Sequence, residues 1–464
     1  MKKIHIKEAR LFDPVQQLHG EIGDLYLAEG KISRPFDDPQ QVIDAGGRAV
    51  LAGGIDPYCM LAAPGQSFAH LISDFPSLEE IGQMYARLGY VHLHHPFTTL
   101  LSAGLVRRTF ANVPIMDKST GVAIDLRDMG RYIKLGKIEE FSLLARALLD
   151  LSGALRLFLP FPHLRHKQRH YIQKNISAKK VLGFLAQVDD PALFPFTLWA
   201  VPDLFKSEIL SAERFHVAGL GMALDSDQAV EQAGRFLEAG GSADLGLGNG
   251  REQLMITPPR DSIPHSIPQL SIDAGLLSPL HVYRETMSFD KGLTHAGWSF
   301  LEQADGSWPL SLSASGPGGG QYGGMAEIAV WLADPAARPP GLRQIFTNRE
   351  FSLYDLARHT RLEPARCLGL PDMGHLQEGA AAHIAIYDIV PGMDTKQMQA
   401  ALSDCWCLIK DGISVREEGE FTGSIPPARI RHREVDVDLS ALVNTDLLQN
   451  STLRSENLRV NRSG

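Results

Sequence analysis

The chain is poor in cysteine, in net positive charge and in long apolar runs. Only four of its 464 residues are cysteines, and no two form a CxxC pair, which argues against a disulfide framework. The formal net charge is −9, so no global basic field attracts nucleic acid or an anionic membrane. No window reaches the roughly 18 apolar residues of a membrane span, and no apolar segment follows Met1 to form a signal peptide. The sequence therefore predicts a soluble, cytoplasmic protein.

Short apolar runs at both ends of the chain predict β-structure around a central α/β body. Residues 1–50 show strand and hairpin patterns, and Cys405–Val415 contains an Asp-Gly pair typical of a hairpin turn. From about residue 77, helical and strand patterns alternate; Ser77–Leu88 and the segment 350–369 are two of the predicted helices. Such alternation predicts a parallel sheet covered on both faces, either a barrel or an open doubly wound sheet.

Several short motifs resemble known sequences, and they occur in a consistent order. Val50–Asp56 resembles the first-strand segment of the amidohydrolase superfamily, and Gly374–Asp388 and Ile409–Gly412 resemble its closing β module. More narrowly, the chain resembles the A subunit of formylmethanofuran dehydrogenase and that of the bacterial formyltransferase/hydrolase complex, over roughly residues 1–435. The segments that carry this narrower resemblance are Ala9–Pro14, Gly20–Ile22, Pro114–Lys118, Tyr132–Lys137 and Arg349–Ala357.

The resemblance implies an α/β fold, namely a distorted (β/α)8 TIM-like barrel with a β module built from both chain ends. We expect residues 1–50 and 375–435 to form that module, residues 51–374 to form the barrel, and residues 436–464 to form a polar C-terminal tail. The resemblance also implies that the chain is an A-type subunit of a cytoplasmic complex in one-carbon metabolism. The partners would be the other subunits and a methanofuran-like formyl carrier with a glutamate-rich tail.

The residues that would hold metal in a protein of this type are largely absent from this sequence. The resemblance implies two metals that activate a water, which then attacks a formyl carbon and releases formate. The expected His-x-His pair after the first strand is replaced by Tyr58 and Met60, and Leu155–Leu159 contains no bridging lysine. Ser315 lies closest to the expected catalytic aspartate, and only His216 has a counterpart among the usual ligands. These replacements predict a structural or cofactor-holding role.

Two enzymatic alternatives stay open. The chain could be an active N-formyl amide hydrolase with a rearranged mononuclear zinc site, or a stand-alone amidohydrolase that acts on another C–N bond. Two histidines of a predicted second barrel strand would share one face near the rim where barrel enzymes bind substrate. We expect no metal and regard these histidines as hydrogen-bonding groups. The candidate ligands, if zinc were bound, are His92, His94, His95, His216 and Cys59.

A second candidate site is the basic cluster in His163–His170, which holds three histidines and three Lys or Arg residues in an acidic chain. Guanidinium groups bind carboxylates well, so Arg165, Lys167 and Arg169 are predicted to hold the acidic tail of the carrier or an acidic partner subunit. The alternative is a solvated loop before the next helix.

Overall fold

The computed structural model describes residues 2–59, 61, 76–100, 102–124, 126–159, 177–200, 204–206, 209, 211–247, 252–257, 281–286, 292–313, 324–438 and 460. The strands of these ranges are β1 Ile4–Asp13, β2 Leu18–Ala28, β3 Lys31–Ser33, β4 Gln41–Asp44, β5 Ala49–Ala52, β6 Gly54–Asp56, β7 Tyr90–Thr98, β8 Asp117–Ala123, β9 Arg156–Leu159, β10 Phe196–Trp199, β11 Phe215–Ala218, β12 Ser242–Asp244, β13 Glu252–Thr257, β14 His281–Thr286, β15 Leu310–Ser311, β16 Ile384–Tyr387, β17 Cys407–Lys410, β18 Ile413–Glu417, β19 Glu420–Phe421 and β20 Ile430–Arg431.

The α-helices of the same ranges cover the outside of the barrel or join the two sheets. They are α1 Leu78–Arg87, α2 Ala103–Ala111, α3 Leu126–Leu135, α4 Ile138–Ser152, α5 Ala178–Leu185, α6 Asp227–Glu238, α7 Gly292–Gln303, α8 Gly324–Ala333, α9 Pro340–Arg343, α10 Leu353–Ala357, α11 Glu363–Leu368 and α12 Thr395–Ser403. Among the residues described, no helix is both long and apolar enough to cross a membrane.

One sheet joins strands from both ends of the chain. Its order is β19-β18-β17-β16-β5-β1-β2-β3, and β4 pairs with β1 off this path. The two ends meet where β16 runs antiparallel to β5. The turn between β17 and β18 is the predicted Asp-Gly turn: Asp411 and Gly412 both have positive φ, 51° and 70°, which suits a tight hairpin. The domain bounds themselves stay a prediction.

The second sheet has eight parallel strands in chain order, β6 to β12 and then β15, while β20 adds beside β8. This sheet is curled, as side-chain contacts between distant strands on its inner face show. Tyr58, just beyond β6, packs against Phe158 of β9 and Ala218 of β11. The result is the predicted α/β architecture with a distorted TIM-like barrel. Ile430–Arg431, expected in the β module, instead pairs with a barrel strand.

The helices are set by their caps and apolar faces. Ser77 caps α1 through a capping box with Glu80, as the sequence predicts. On α4, Phe141, Leu144 and Leu148 recur at helical spacing and are buried, so one face covers the barrel. The rings of Phe141 and Phe184 of α5 meet edge to face with centroids 5.4 Å apart, which extends the core between neighbouring helices.

The predicted helix over 350–369 is interrupted. The α-helical segments α10 and α11 are separated by a π-helical turn, Arg358–Leu362. Pro364 lies near the start of α11; it has no N–H to donate to the carbonyl of Thr360, and its ring would collide with that carbonyl in a regular helix. The wider π turn relieves this conflict.

Candidate functional site

The two histidines expected at the rim of the barrel lie deeper inside it. The sequence predicts that the second barrel strand ends near Pro96, but β7 runs on to Thr98. A register shift between His95 and Thr98 accommodates the proline. Before this shift, His92 pairs with Asp117 at the start of β8, and His94 pairs with Ser119. Both histidines thus lie several residues before the end of β7. The rim prediction was wrong because the strand continues through a bulge.

His92 and His94 share one hydroxyl group. The Ser119 Oγ lies 2.8 Å from His92 Nε2 and 2.8 Å from His94 Nδ1. A hydroxyl has one proton, so when it donates to one ring the other ring must donate to it. Burial lowers the pKa of His92 to about 3 and that of His94 well below its usual value, with further lowering of the His94 pKa by the charge of Arg156. Both imidazoles are neutral near pH 7.

Of the other candidate zinc ligands, His95 and Cys59 do not converge with this pair, whereas His216 faces the same barrel interior and acts on the pKa of His94. His95 points to the outer face of the strand, where its ring meets Phe110 of α2 edge to face, and its Nδ1 donates to the Cys59 carbonyl at 3.1 Å. The Cys59 thiol is buried in the main core, which raises its pKa. His216 is inside the barrel and bonds Ser242 Oγ at 3.0 Å. Its pKa falls to about 3, mainly through burial and then through the charge of Arg156.

Arg156, the first residue of β9, places a guanidinium inside the barrel. Its side chain is 3% exposed, and in the described part of the chain Nε, Nη1 and Nη2 have no hydrogen-bond partner. Burial lowers its pKa to about 10, so the group stays charged at neutral pH. Barrel interiors are usually filled by branched apolar side chains, and a buried cation in that position is the main chemical feature of this interior.

Two carboxyl groups lie at the carboxyl ends of the barrel strands. Asp56, the last residue of β6, accepts from the Tyr58 N–H at 2.9 Å and from the Tyr85 hydroxyl at 2.6 Å. Asp244, the last residue of β12, accepts from the Ser313 hydroxyl at 2.9 Å. Burial raises the pKa of both carboxyls, and the charge of Asp56 raises the Asp244 pKa further. Complete desolvation therefore favours the neutral form of both acids.

At the opposite end of the barrel a buried ion-pair network joins it to the β module. Lys410 Nζ of β17 lies 2.8 Å from Asp117 Oδ1 of β8, and both side chains are fully buried. The same ammonium lies 3.1 Å from Asp411 Oδ2, and Arg431 lies 3.7 Å from Asp117 Oδ2. The His383 ring accepts from the Asp411 N–H at 3.2 Å. This network fixes the relative position of the two sheets.

The dinuclear metal centre implied by the resemblance does not fit these residues. At the first expected ligand position the Tyr58 ring packs in an apolar cluster with Phe158 and Ala218. On β9, where a bridging anionic ligand is expected, the structure has the cation of Arg156. No group of three or more His, Cys, Asp or Glu side chains in the described ranges is arranged to hold a metal ion.

Several predicted site residues lie outside the described residues. They are Met60, Arg165, Lys167, Arg169 and Ser315.

Sequence reasoning overlooked Arg156, Asp244 and Lys410. A charged residue within the short apolar run Ala154–Leu159 was the available signal for Arg156, because an arginine in a strand buried on both faces has no route to solvent. The fully buried partner of Lys410, Asp117, comes from the other sheet, so no local pattern could have identified it.

Comparisons with known proteins agree with this architecture. No family model matches the sequence. The chain is 24% identical to the A subunit of the formyltransferase/hydrolase complex Fhc of Methylorubrum extorquens, over 89% of this chain and 88% of that protein. It is 21% identical to Protein FwdA of Methanocaldococcus jannaschii, over 90% and 89% of the two chains.

Solved structures show the same fold. The crystal structure of the M. extorquens FhcABCD complex with methylofuran contains a chain that matches with a TM-score of 0.81 at 21% identity, over 99% of this chain and 96% of that one. The L-hydantoinase of Arthrobacter aurescens matches with a TM-score of 0.52 at 14% identity, over 93% and 100%. The fold is therefore amidohydrolase-like, as the resemblance implies.

Proposed function

We propose that this chain, a relative of FwdA and of the Fhc protein from M. extorquens, is an A-type subunit of a formyltransferase/hydrolase complex in one-carbon metabolism. Its role there is to hold the complex together or to hold the formyl carrier, without hydrolysis of its own. The similarity extends over nearly the whole length of both relatives. The observation that carries the noncatalytic role is the interior of the barrel, where Arg156 and neutral histidines occupy the expected metal region.

The described interior offers no group suited to activate a water molecule near pH 7. A general base works best when its pKa lies near the working pH. The imidazoles of His92 and His216 have pKa values of about 3, the raised pKa of Asp244 favours its protonated form, and a guanidinium does not act as a base. This chemistry disfavours a metal-free amidohydrolase. The mononuclear zinc hydrolase is disfavoured on another ground, since no three His, Cys, Asp or Glu side chains of the described ranges are arranged to hold a metal ion.

The carrier proposal rests on two supports. The matching complex was crystallised with methylofuran, and the sequence places three cations, Arg165, Lys167 and Arg169, within five residues of an otherwise acidic chain. Carboxylates of a glutamate-rich tail would bind there through charge-assisted contacts. The four described cysteines are unpaired and buried, which is in keeping with assembly in the cytoplasm.

Co-purification tests this proposal. The full chain, tagged, is expressed together with the candidate B, C and D subunits from the same source, and the complex is isolated by size exclusion. We expect a stable assembly that contains this chain. The matched control is a Lys3→Met variant, whose ion pair with Asp38 is exposed, with side chains 41% and 75% accessible. Failure of the parent chain to co-elute with any of the three subunits would overturn the proposal.

A second arm measures catalysis directly. The isolated chain is incubated with an N-formylated furfurylamine, and formate is quantified. We expect no release above the uncatalysed rate. Formate release that depends on His94 would replace this proposal with the hydrolase alternative.

A further inference from the structure

The interior of the barrel contains an uncompensated positive charge. Arg156 is 3% exposed, and in the part of the chain that the structure describes none of its three guanidinium nitrogens has a hydrogen-bond partner. An isolated charge in a low-dielectric interior is strongly unfavourable unless it is paired. The fold therefore needs a negative group close to this side chain.

The described neighbours do not supply that group. The titratable groups that act on Arg156 are the Cys367 thiol and a second cation, Arg433. Burial raises the pKa of Cys367 to about 12, so the thiol is neutral. Arg433 is itself committed to backbone carbonyls, at 3.4 Å to Leu155 O and 3.2 Å to Phe194 O. The local charge is therefore positive.

Neutral donors lie around the guanidinium. His94 and His216 face the same interior, because each sits on an inward position of its strand and the charge of Arg156 acts on both rings. The hydroxyls of Ser119 and Ser242 hydrogen-bond these two rings. On the side of the carboxyl ends of the strands, Phe158, Tyr58 and Ala218 close the interior with largely apolar surface, and the buried Tyr58 hydroxyl has no hydrogen-bond partner among the described residues. A fixed cation with polar hydrogen-bonding groups under an apolar cover is the chemistry of an anion site.

We propose that Arg156, with His94 and His216, binds one small monovalent anion inside the barrel, a halide or a carboxylate of the size of formate. Because Arg156, Tyr58 and Phe158 are at most 3% exposed, the site favours a small anion over a large one. The planar guanidinium fork suits a small carboxylate in bidentate geometry, and a halide would satisfy the same charge without that geometry. This proposal concerns the isolated chain and does not depend on the proposed assembly.

Thermal unfolding in different salts tests the site. The isolated full chain is dialysed into sodium gluconate, whose anion is much larger than chloride or formate, and then titrated with sodium chloride or sodium formate at constant ionic strength. Because a ligand that binds only the folded state stabilises it, we expect Tm to rise by about 1–3 °C for each tenfold increase in the small anion above its Kd. A larger rise with formate than with chloride identifies a carboxylate site, and the reverse identifies a halide site.

Two variants and a control make the result specific. Arg156→Met removes the charge at similar length and should abolish the anion dependence, whereas Arg156→Lys keeps the charge and should retain part of it. The control Arg34→Met removes an exposed arginine, 83% accessible in its ion pair with Glu378, and should behave as the parent. A Tm that is equal in gluconate, chloride and formate would overturn the proposal, because it would mean that the chain itself neutralises Arg156. Anomalous scattering from bromide beside the guanidinium in a crystal would support it independently.

Discussion

Replacing Lys410 with methionine tests the junction between the two sheets. The substitution removes an ammonium that lies 2.8 Å from Asp117 Oδ1, with both side chains fully buried, and leaves the Asp117 carboxylate with the more distant Arg431. Breaking one partner of a buried ion pair costs about 3–5 kcal/mol, because the remaining charge is desolvated without compensation. We expect Lys410→Met to lose stability of that size.

Urea unfolding followed by circular dichroism measures the loss. Lys3→Met is the matched control: its ion pair with Asp38 has a similar distance, 2.7 Å, but the two side chains are 41% and 75% exposed. Exposed pairs contribute about 0–1 kcal/mol, so this variant should unfold almost as the parent does. A loss below about 1 kcal/mol for Lys410→Met, or equal losses for the two variants, would refute the idea that the buried pair holds the sheets together.

The pH dependence of that loss carries a definite sign. Burial acts to raise the pKa of Asp117, but the charge of Lys410, that of His383 and the hydrogen bond from Lys410 outweigh it, and the pKa is lowered. A lowered carboxyl pKa stabilises the fold above the pKa of the unfolded chain, about 3.9, and this stabilisation disappears as pH falls through the folded value. The gap between parent and Lys410→Met should therefore be largest near neutral pH and narrow in acid. A gap that widens in acid contradicts this account.

Three further outcomes follow from the site. Metal analysis of the purified chain should find less than one tightly held zinc; two stoichiometric metals, or formate release that His94→Ala abolishes, would favour the hydrolase alternative. Replacing Arg165, Lys167 and Arg169 together with serine should weaken carrier retention or assembly by about tenfold or more in low salt and less in high salt. The reason is that each contact contributes on the order of 1 kcal/mol and is screened by salt. Unchanged retention at both ionic strengths would mean that these residues form only a solvated loop. Burial raises the Asp244 pKa, so the parent loses stability as pH rises above the unfolded value. Asp244→Asn should therefore gain stability relative to the parent from about pH 4 upward, and a constant difference in urea midpoints across pH would contradict the raised pKa.

Local signals in the sequence predicted much of the secondary structure. The capping box at Ser77 and the Asp411-Gly412 turn depend on neighbouring residues only, and both occur as predicted. The helix over 350–369 was only partly right, because Pro364 acts on the carbonyl four residues earlier and forces a π turn. Hydrophobic periodicity alone does not show how a helix accommodates a proline.

The position of the strand histidines could not be read from the sequence, because it depends on a neighbouring strand. A proline normally ends a central strand, yet β7 continues past Pro96 because a bulge forms there. Gly121 of β8 makes this possible, since a Cβ there would lie only 2.1 Å from the Pro96 carbonyl oxygen. The two residues are 25 positions apart in the numbering, so neither one alone indicated that His92 and His94 would lie deep in the barrel.

The departure from a metal hydrolase is better understood as a change in interior charge than as the loss of two ligands. A dinuclear centre places dications among anionic ligands, which they neutralise. Here a permanent cation, Arg156, stands on β9 among neutral imidazoles, and the carboxyl of Asp244 is shifted toward its protonated form. A dication entering this interior would meet repulsion from the guanidinium and little compensating negative charge. The same arrangement attracts a small anion, so one residue accounts both for the poor fit to metals and for the proposed anion site.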